Sequence, residues 1–180
     1  MSRTILITGG QRSGKSQYAE QLALSLSPNP VYVATARVCD DEFRERVRRH
    51  QARRGPEWTN IEEPCHLSDV ALEGRVAVID CITLWLTNLF FAETQGSDLP
   101  DGEAMERVLA TARREFDTLT RQEATLIFVT NEIGSGGTST NPLQRRFTDL
   151  QGWMNQYIAD HADQVTLMVS GIPLKIKGKN

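Results

Sequence analysis

The 180-residue chain is poor in cysteine: it has three, Cys39, Cys65 and Cys81, scattered, odd in number and without CxxC spacing. That argues against a disulfide framework or a cysteine-based zinc site and fits a reducing compartment. No apolar run approaches the length of a membrane span. The N-terminus runs directly into an apolar strand with no signal-peptide pattern, so a cytoplasmic location is expected. An excess of positive charge is also missing. Twenty Lys and Arg stand against 23 Asp and Glu, a net charge of −3, so bulk electrostatics do not favour nucleic acid or an anionic membrane as partner. There is no internal repeat and no low-complexity segment. What remains is 39% apolar and 24% charged residues, the balance of one globular domain spanning residues 1–180.

Apolar runs and helical spacings alternate along the chain. Thr4 to Thr8 reads as a buried strand ending in glycine, followed by a helix from Ser16 with Tyr18, Ala19, Leu22, Ala23 and Leu26 on one face. Val31 to Ala34 is a second strand. Asp40 to Arg54 is charged and helical in spacing, with Phe43, Val47 and His50 on one face. Val76 to Asp80 is a third strand. Ile82 to Phe91 is apolar nearly all round and predicts a buried helix, and Ala92 to Gly102 a polar loop. A helix capped by Asp101 carries Met105, Val108, Leu109, Ala112, Phe116 and Leu119 inward. Then come a strand over Thr125 to Thr130, a Gly/Ser/Thr loop over Gly134 to Asn141, a helix from Pro142 to His161 and a strand over Val165 to Val169. This alternation predicts an α/β fold, a mostly parallel sheet with helices on both faces. In such sheets ligands sit beyond the carboxyl ends of the strands. Here those ends are Gly9-Gly10, Thr35, Asp80, Asn131-Glu132 and Ser170-Gly171.

Gly9-Gly10-Gln11-Arg12-Ser13-Gly14-Lys15-Ser16 matches the phosphate-binding pattern G-x-x-x-x-G-K-[ST]. Glycines let backbone N–H groups curl around phosphate oxygens, lysine reaches the outer phosphates, and serine ligates magnesium beside the positive end of a helix. Asp80, at the end of an apolar strand, suits a second magnesium contact; its plain alternative is a helix cap. His50 has two readings. It pads the core face of a solvated charged helix, or it is an imidazole nucleophile among Arg44, Arg46, Arg48, Arg49, Arg53 and Arg54. Asn131 and Glu132 stand at the ligand edge. Asp149, Asn155 and Gln156 divide equally between function and surface solvation. Trp58, Trp85 and Trp153 suit base stacking, the core or a subunit interface. No N-K-x-D base reader supports a nucleotide-dependent switch.

The ordered set of these segments resembles the bifunctional adenosylcobinamide kinase / adenosylcobinamide-phosphate guanylyltransferase family. The resemblance runs from the loop Thr8–Ser16, with Arg12 inside it, through Tyr32-Val33-Ala34-Thr35-Ala36, Arg46 to His50, Arg54, Trp58 and Glu62. It continues through Asp80 to Leu89, Val129 to Gly134, Arg146-Phe147, Asp149, Gly152, Asn155-Gln156 and Ser170-Gly171-Ile172-Pro173. It implies a RecA-like P-loop NTPase fold and two reactions. A nucleoside triphosphate (ATP or GTP, with Mg²⁺) phosphorylates the aminopropanol hydroxyl of adenosylcobinamide. GMP from GTP is then passed to adenosylcobinamide phosphate through a GMP-histidine intermediate, giving adenosylcobinamide-GDP. The matching histidine is His50. Nucleotide contacts are implied at Gly9 through Ser16, Ala34, Thr35, Ala36, Gln51, Ala52, Arg53, Arg54, Glu62 and Asp80, with Ser16 and Asp80 on the metal and Lys15 catalytic. A homotrimer is implied as well. A plain P-loop kinase without guanylyl transfer is the alternative. Some relatives carry two adjacent histidines where this chain has Arg49-His50, and Thr148 stands where arginine is common.

Overall fold

The computed structural model describes residues 2–37, 45, 48, 54–94 and 102–178. Seven strands form one sheet: β1 (Arg3–Gly9), β2 (Val31–Ala34), β3 (Thr59–Glu62), β4 (Val76–Asp80), β5 (Thr125–Val129), β6 (Gln164–Val169) and β7 (Ile172–Lys177). Their spatial order is β3-β2-β4-β5-β1-β6-β7, and every neighbouring pair is parallel except β6–β7. The helices among the described residues are α1 (Lys15–Leu26), α2 (Ile82–Thr94), α3 (Gly102–Thr120) and α4 (Pro142–His161). None of them is long and apolar enough to cross a membrane.

Period-two alternation splits the core into two layers. Ile5 and Ile7 of β1, Val78 of β4, and Ile127 and Val129 of β5 point to one face, where they pack with Ala19 and Ala23 of α1. Leu6, Ala77, Ile79, Leu126 and Phe128 point to the other, against Trp85 and Leu86 of α2, Phe116 and Leu119 of α3, and Leu150, Met154 and Ile158 of α4. The central strands are buried on both faces, which is why they read as unbroken apolar runs.

Two strands are absent from the sequence reading. β3 is Thr-Asn-Ile-Glu with only Ile61 partly covered, so it has no apolar signature; it forms because its backbone pairs in register with β2. β7 alternates Ile172, Leu174 and Ile176 with Pro173, Lys175 and Lys177, and all six are exposed at the sheet edge. The loop expected from Ala92 begins later, since α2 runs to Thr94, whose hydroxyl donates to the Phe90 carbonyl. Phe91 is 53% exposed, so α2 is not covered all round. Of the charged segment 40–54, Glu45 and Arg48 are helical and exposed, and Arg54 is described; the remainder, and Asp101, lie outside the described residues.

Candidate active site

The phosphate loop leaves β1 at Gly9 and enters α1 at Lys15. A side chain at Gly9 would stand 2.5 Å from the Met168 carbonyl oxygen and 2.9 Å from Ser13 Oγ, so only glycine fits there. Gly14, with φ 93°, is the left-handed residue that starts α1, and no side chain caps that helix. Its first N–H groups are therefore available to an anion, with the helix dipole behind them. The loop is tied down on both flanks. The Glu132 N–H donates to the Gly9 carbonyl and the Gly171 N–H to the Ser13 carbonyl, each at 3.0 Å. Lys15 is buried, and its Nζ donates to the Gly10 carbonyl at 2.6 Å and to Ser13 Oγ at 3.5 Å. A buried ammonium needs compensation, and phosphate oxygens are suited to add to it here.

The register sets Glu62, Ala34 and Asp80 side by side across β3, β2 and β4. Three separate sequence predictions thus fall on one line at the carboxyl edge. Asp80 is half-buried, and Tyr32 donates its hydroxyl proton to Asp80 Oδ2 at 2.7 Å. Burial, and then the Asp80 carboxylate, push the Tyr32 hydroxyl well above the usual phenol range, so it remains a donor. Thr35 is fully buried, and its hydroxyl both accepts from the Cys81 N–H and donates to the Cys81 carbonyl, each at 2.8 Å. Asn88 holds the Thr35 carbonyl at 2.7 Å. The Thr35 side chain therefore fastens the end of β4 instead of facing ligand, while its neighbours Ala34 and Ala36 are partly exposed. Burial, and then Asp80, push the Cys81 thiol up to about 12.

The sequence reading placed Arg54 on nucleotide. The structure turns its guanidinium inward: the side chain is 3% exposed, 3.5 Å from the Glu20 carboxylate, and stacked 3.6 Å from the centre of the Tyr32 ring. Its Nε donates to Asn60 Oδ1 at 2.8 Å. Trp58 closes this cluster with its ring edge-on to Tyr32 at 6.0 Å, a core role and not a base-stacking one. His50, Gln51, Ala52 and Arg53 lie outside the described residues.

A second polar cluster lies behind β5. The Thr130 hydroxyl donates to Asn155 Oδ1 at 2.7 Å, Gln151 Nε2 donates to Asn155 Oδ1 at 2.8 Å and to Thr130 Oγ1 at 2.9 Å, and Asn155 Nδ2 donates to the Asn131 carbonyl at 3.1 Å. The Asn131 N–H donates to Thr83 Oγ1 at 3.1 Å. Asn155 is thus internal, not surface-solvated. These bonds fix the direction of Asn131-Glu132 beside the phosphate loop. Glu132, Ser135, Met168 and Ser170 join Gly10 to Ser13 around an open cleft of about 390 Å³. Trp85 is fully buried, with its Nε1 donating to the Cys65 carbonyl at 2.9 Å, which rules it out as an exposed interface residue.

Sequence reasoning missed Glu20, Asn60 and Gln151, and named Tyr32 and Thr130 only as parts of strands and of the resemblance, with no role. One signal was present: Glu20 shares the inner face of α1 with Ala19 and Ala23, and an acid there demands a cation. Among the described residues, no group of three His, Cys, Asp or Glu side chains could hold a metal alone. A hydroxyl at Ser16 and a carboxylate at Asp80 are instead the sparse oxygen set that suits magnesium arriving with phosphates.

Residues 5–176 match the family model described as cobinamide kinase / cobinamide phosphate guanyltransferase. The chain belongs to that family. It is 39% identical over 178 residues to the bifunctional adenosylcobalamin biosynthesis protein CobP of Pseudomonas aeruginosa, covering 97% of each chain. It is 37% identical to the bifunctional adenosylcobalamin biosynthesis protein CobU of Escherichia coli and 40% to that of Salmonella typhimurium, covering 96% of this chain and 99% of each relative. Among solved structures, it is similar to an ATPase of the type III secretion system of pathogenic bacteria, with TM-score 0.61 and 11% identity, over 92% of this chain and 50% of that one. A Pyrococcus horikoshii protein superposes with TM-score 0.52 and 8% identity, over 99% and 87%. These two likenesses carry the fold alone: a mostly parallel α/β sheet.

Proposed function

We propose that this family member performs two successive transfers with one phosphate loop. In the first, the aminopropanol hydroxyl oxygen of adenosylcobinamide attacks the γ-phosphorus of ATP or GTP. The bond to the β,γ-bridging oxygen breaks, and the hydroxyl proton passes to solvent. In the second, the neutral imidazole of His50 attacks the α-phosphorus of GTP and displaces pyrophosphate. A phosphate oxygen of adenosylcobinamide phosphate then attacks the GMP phosphorus, the P–N bond breaks, and imidazole is restored. Both reactions develop charge on phosphate oxygens, and both use the same positive elements: Lys15, the Gly9–Ser16 amides and the start of α1. Magnesium, when bound with the triphosphate, supplies further charge neutralisation, and Ser16 and Asp80 would hold it.

The observation that supports this reading is the buried Lys15 ammonium folded into the loop, with Asp80, Ala34 and Glu62 aligned on the same sheet edge. We place the reactions in the cytoplasm and take a homotrimer as the working assembly; Phe91 and Trp153 are aromatic side chains exposed enough to serve an interface. Incubation with adenosylcobinamide, ATP, GTP and Mg²⁺, followed by mass analysis of the corrinoid, tests the proposal. The expected products are the phosphate and then the GDP derivative. Accumulation of the phosphate alone, with GTP in excess, would reduce the protein to a kinase. No product at all would refute both halves.

A further inference from the structure

Among the described residues, the Tyr32 hydroxyl donates to the Asp80 carboxylate, at 2.7 Å. A buried phenol needs some acceptor, and a backbone carbonyl would satisfy it at less electrostatic cost. Here the acceptor is the acid proposed to hold magnesium, and it uses the Oδ2 oxygen. The ring in turn is fixed on both sides. Arg54 stacks on it at 3.6 Å, and Trp58 meets it edge-on. Arg54 is anchored to β3 through Asn60 and to α1 through Glu20, whose side chain is 9% exposed. The Arg54–Glu20 pair gives little net stability, because desolvating two charges offsets their attraction. What it does supply is geometry. It connects α1, the helix that follows the phosphate loop, to Asn60 of β3 and to the Tyr32 ring of β2.

We propose that Tyr32 is a positioning residue for Asp80: its hydroxyl holds one carboxylate oxygen so that the other is presented to the nucleotide-bound magnesium, and the Arg54–Glu20 pair keeps the Tyr32 ring in register with the phosphate loop. This rests on the reading of Asp80 as a magnesium-holding residue. It assigns a function to a side chain outside the phosphate-binding pattern. It also gives Arg54 a role that needs no contact with nucleotide.

The probe is Mn²⁺, followed by the electron paramagnetic resonance of the free ion, with the full chain saturated by α,β-methylene GTP. That analogue cannot release pyrophosphate from the α-phosphorus, so no guanylyl transfer intervenes. Tyr32→Phe keeps the ring, the Arg54 stack and the Trp58 contact, and removes only the hydroxyl. We expect its complex to bind Mn²⁺ about tenfold more weakly than wild type, the size of one hydrogen bond to a charged group. Its affinity for the analogue in EDTA should stay within twofold, a split that a general loss of structure would not produce. Mn²⁺ affinity within twofold of wild type in Tyr32→Phe would overturn the proposal. Asp80→Asn separates this from the reading beneath it. If Asp80→Asn weakens Mn²⁺ and Tyr32→Phe does not, the positioning role alone is lost. If neither does, the metal role of Asp80 fails and the positioning role fails with it.

Discussion

Two polar clusters brace the ligand edge of the sheet, and they are built from different chemistry. Around β2 and β4 the cluster holds charged side chains, Asp80, Arg54 and Glu20, joined through the phenol of Tyr32. Behind β5 they are neutral: Thr130, Asn131, Gln151, Asn155 and Thr83. Both are largely buried, yet burial costs them differently. Neutral amides and hydroxyls need only hydrogen bonds, whereas ions need partners of opposite charge as well. The difference separates two tasks. The neutral cluster sets the direction of backbone at the end of β5, beside Gly9. The ionic cluster sets a charge where, on our reading, metal and phosphate are handled. Damage to the first should appear mainly as lost stability, and damage to the second mainly as lost chemistry.

The largest expected effect breaks the chemistry without touching either cluster. Lys15→Ala should lower kcat/KM of both transfers by roughly 10²- to 10³-fold, the usual cost of one electrostatic donor at a reacting phosphate. Steady-state kinetics of each step check it, and an effect on one step only would mean the two reactions use different triphosphate sites. Next comes the neutral cluster. Asn155→Leu leaves the Thr130 hydroxyl, Gln151 Nε2 and the Asn131 carbonyl each short of a partner, and should cost about 3 kcal/mol of unfolding free energy in a urea titration. Nucleotide affinity in that variant should fall far less. A larger loss of affinity than of stability would erase the distinction between the clusters. Thr35→Val removes both bonds to the Cys81 peptide group and should cost about 2 kcal/mol by the same measurement.

The smallest effect concerns Cys81 beside Asp80. Burial, and then Asp80, push its thiol from the ordinary 9.0 up to about 12, so the folded protein prefers the neutral thiol. That preference stabilises fully below pH 9.0 and is lost as pH rises toward about 12. At pH 8.5 native Cys81 should therefore resist iodoacetamide, while urea-unfolded protein is alkylated readily. Equal rates by peptide mapping would show that the end of β4 opens freely.

The sequence carried the phosphate loop openly because function there needs particular residue types at fixed spacing. Gly9, Gly14 and Lys15 stand where backbone geometry and charge require them. The central strands were legible because burial on both faces removes polar residues from them. β3 was not, since its strand character comes from pairing with β2 and not from its own side chains. The same holds for Tyr32 and Arg54. Their partners are 48 residues away at Asp80 and 34 at Glu20, and no local pattern announces a contact made by folding. The resemblance implied a nucleotide contact at Arg54, and no local pattern announced that its guanidinium would also meet Glu20 and the Tyr32 ring.

The central claim is that one phosphate loop serves a covalent guanylyl transfer as well as a kinase step, and the residue that decides it is His50. The direct measurement is incubation of the protein with Mg²⁺ and GTP labelled at the α-phosphate, followed by denaturation and counting of protein-bound label. The account predicts acid-labile label on wild type, none on His50→Ala, and residual phosphoryl transfer to adenosylcobinamide by that variant. Wild-type protein that takes up no label, or His50→Ala protein that still does, would contradict it.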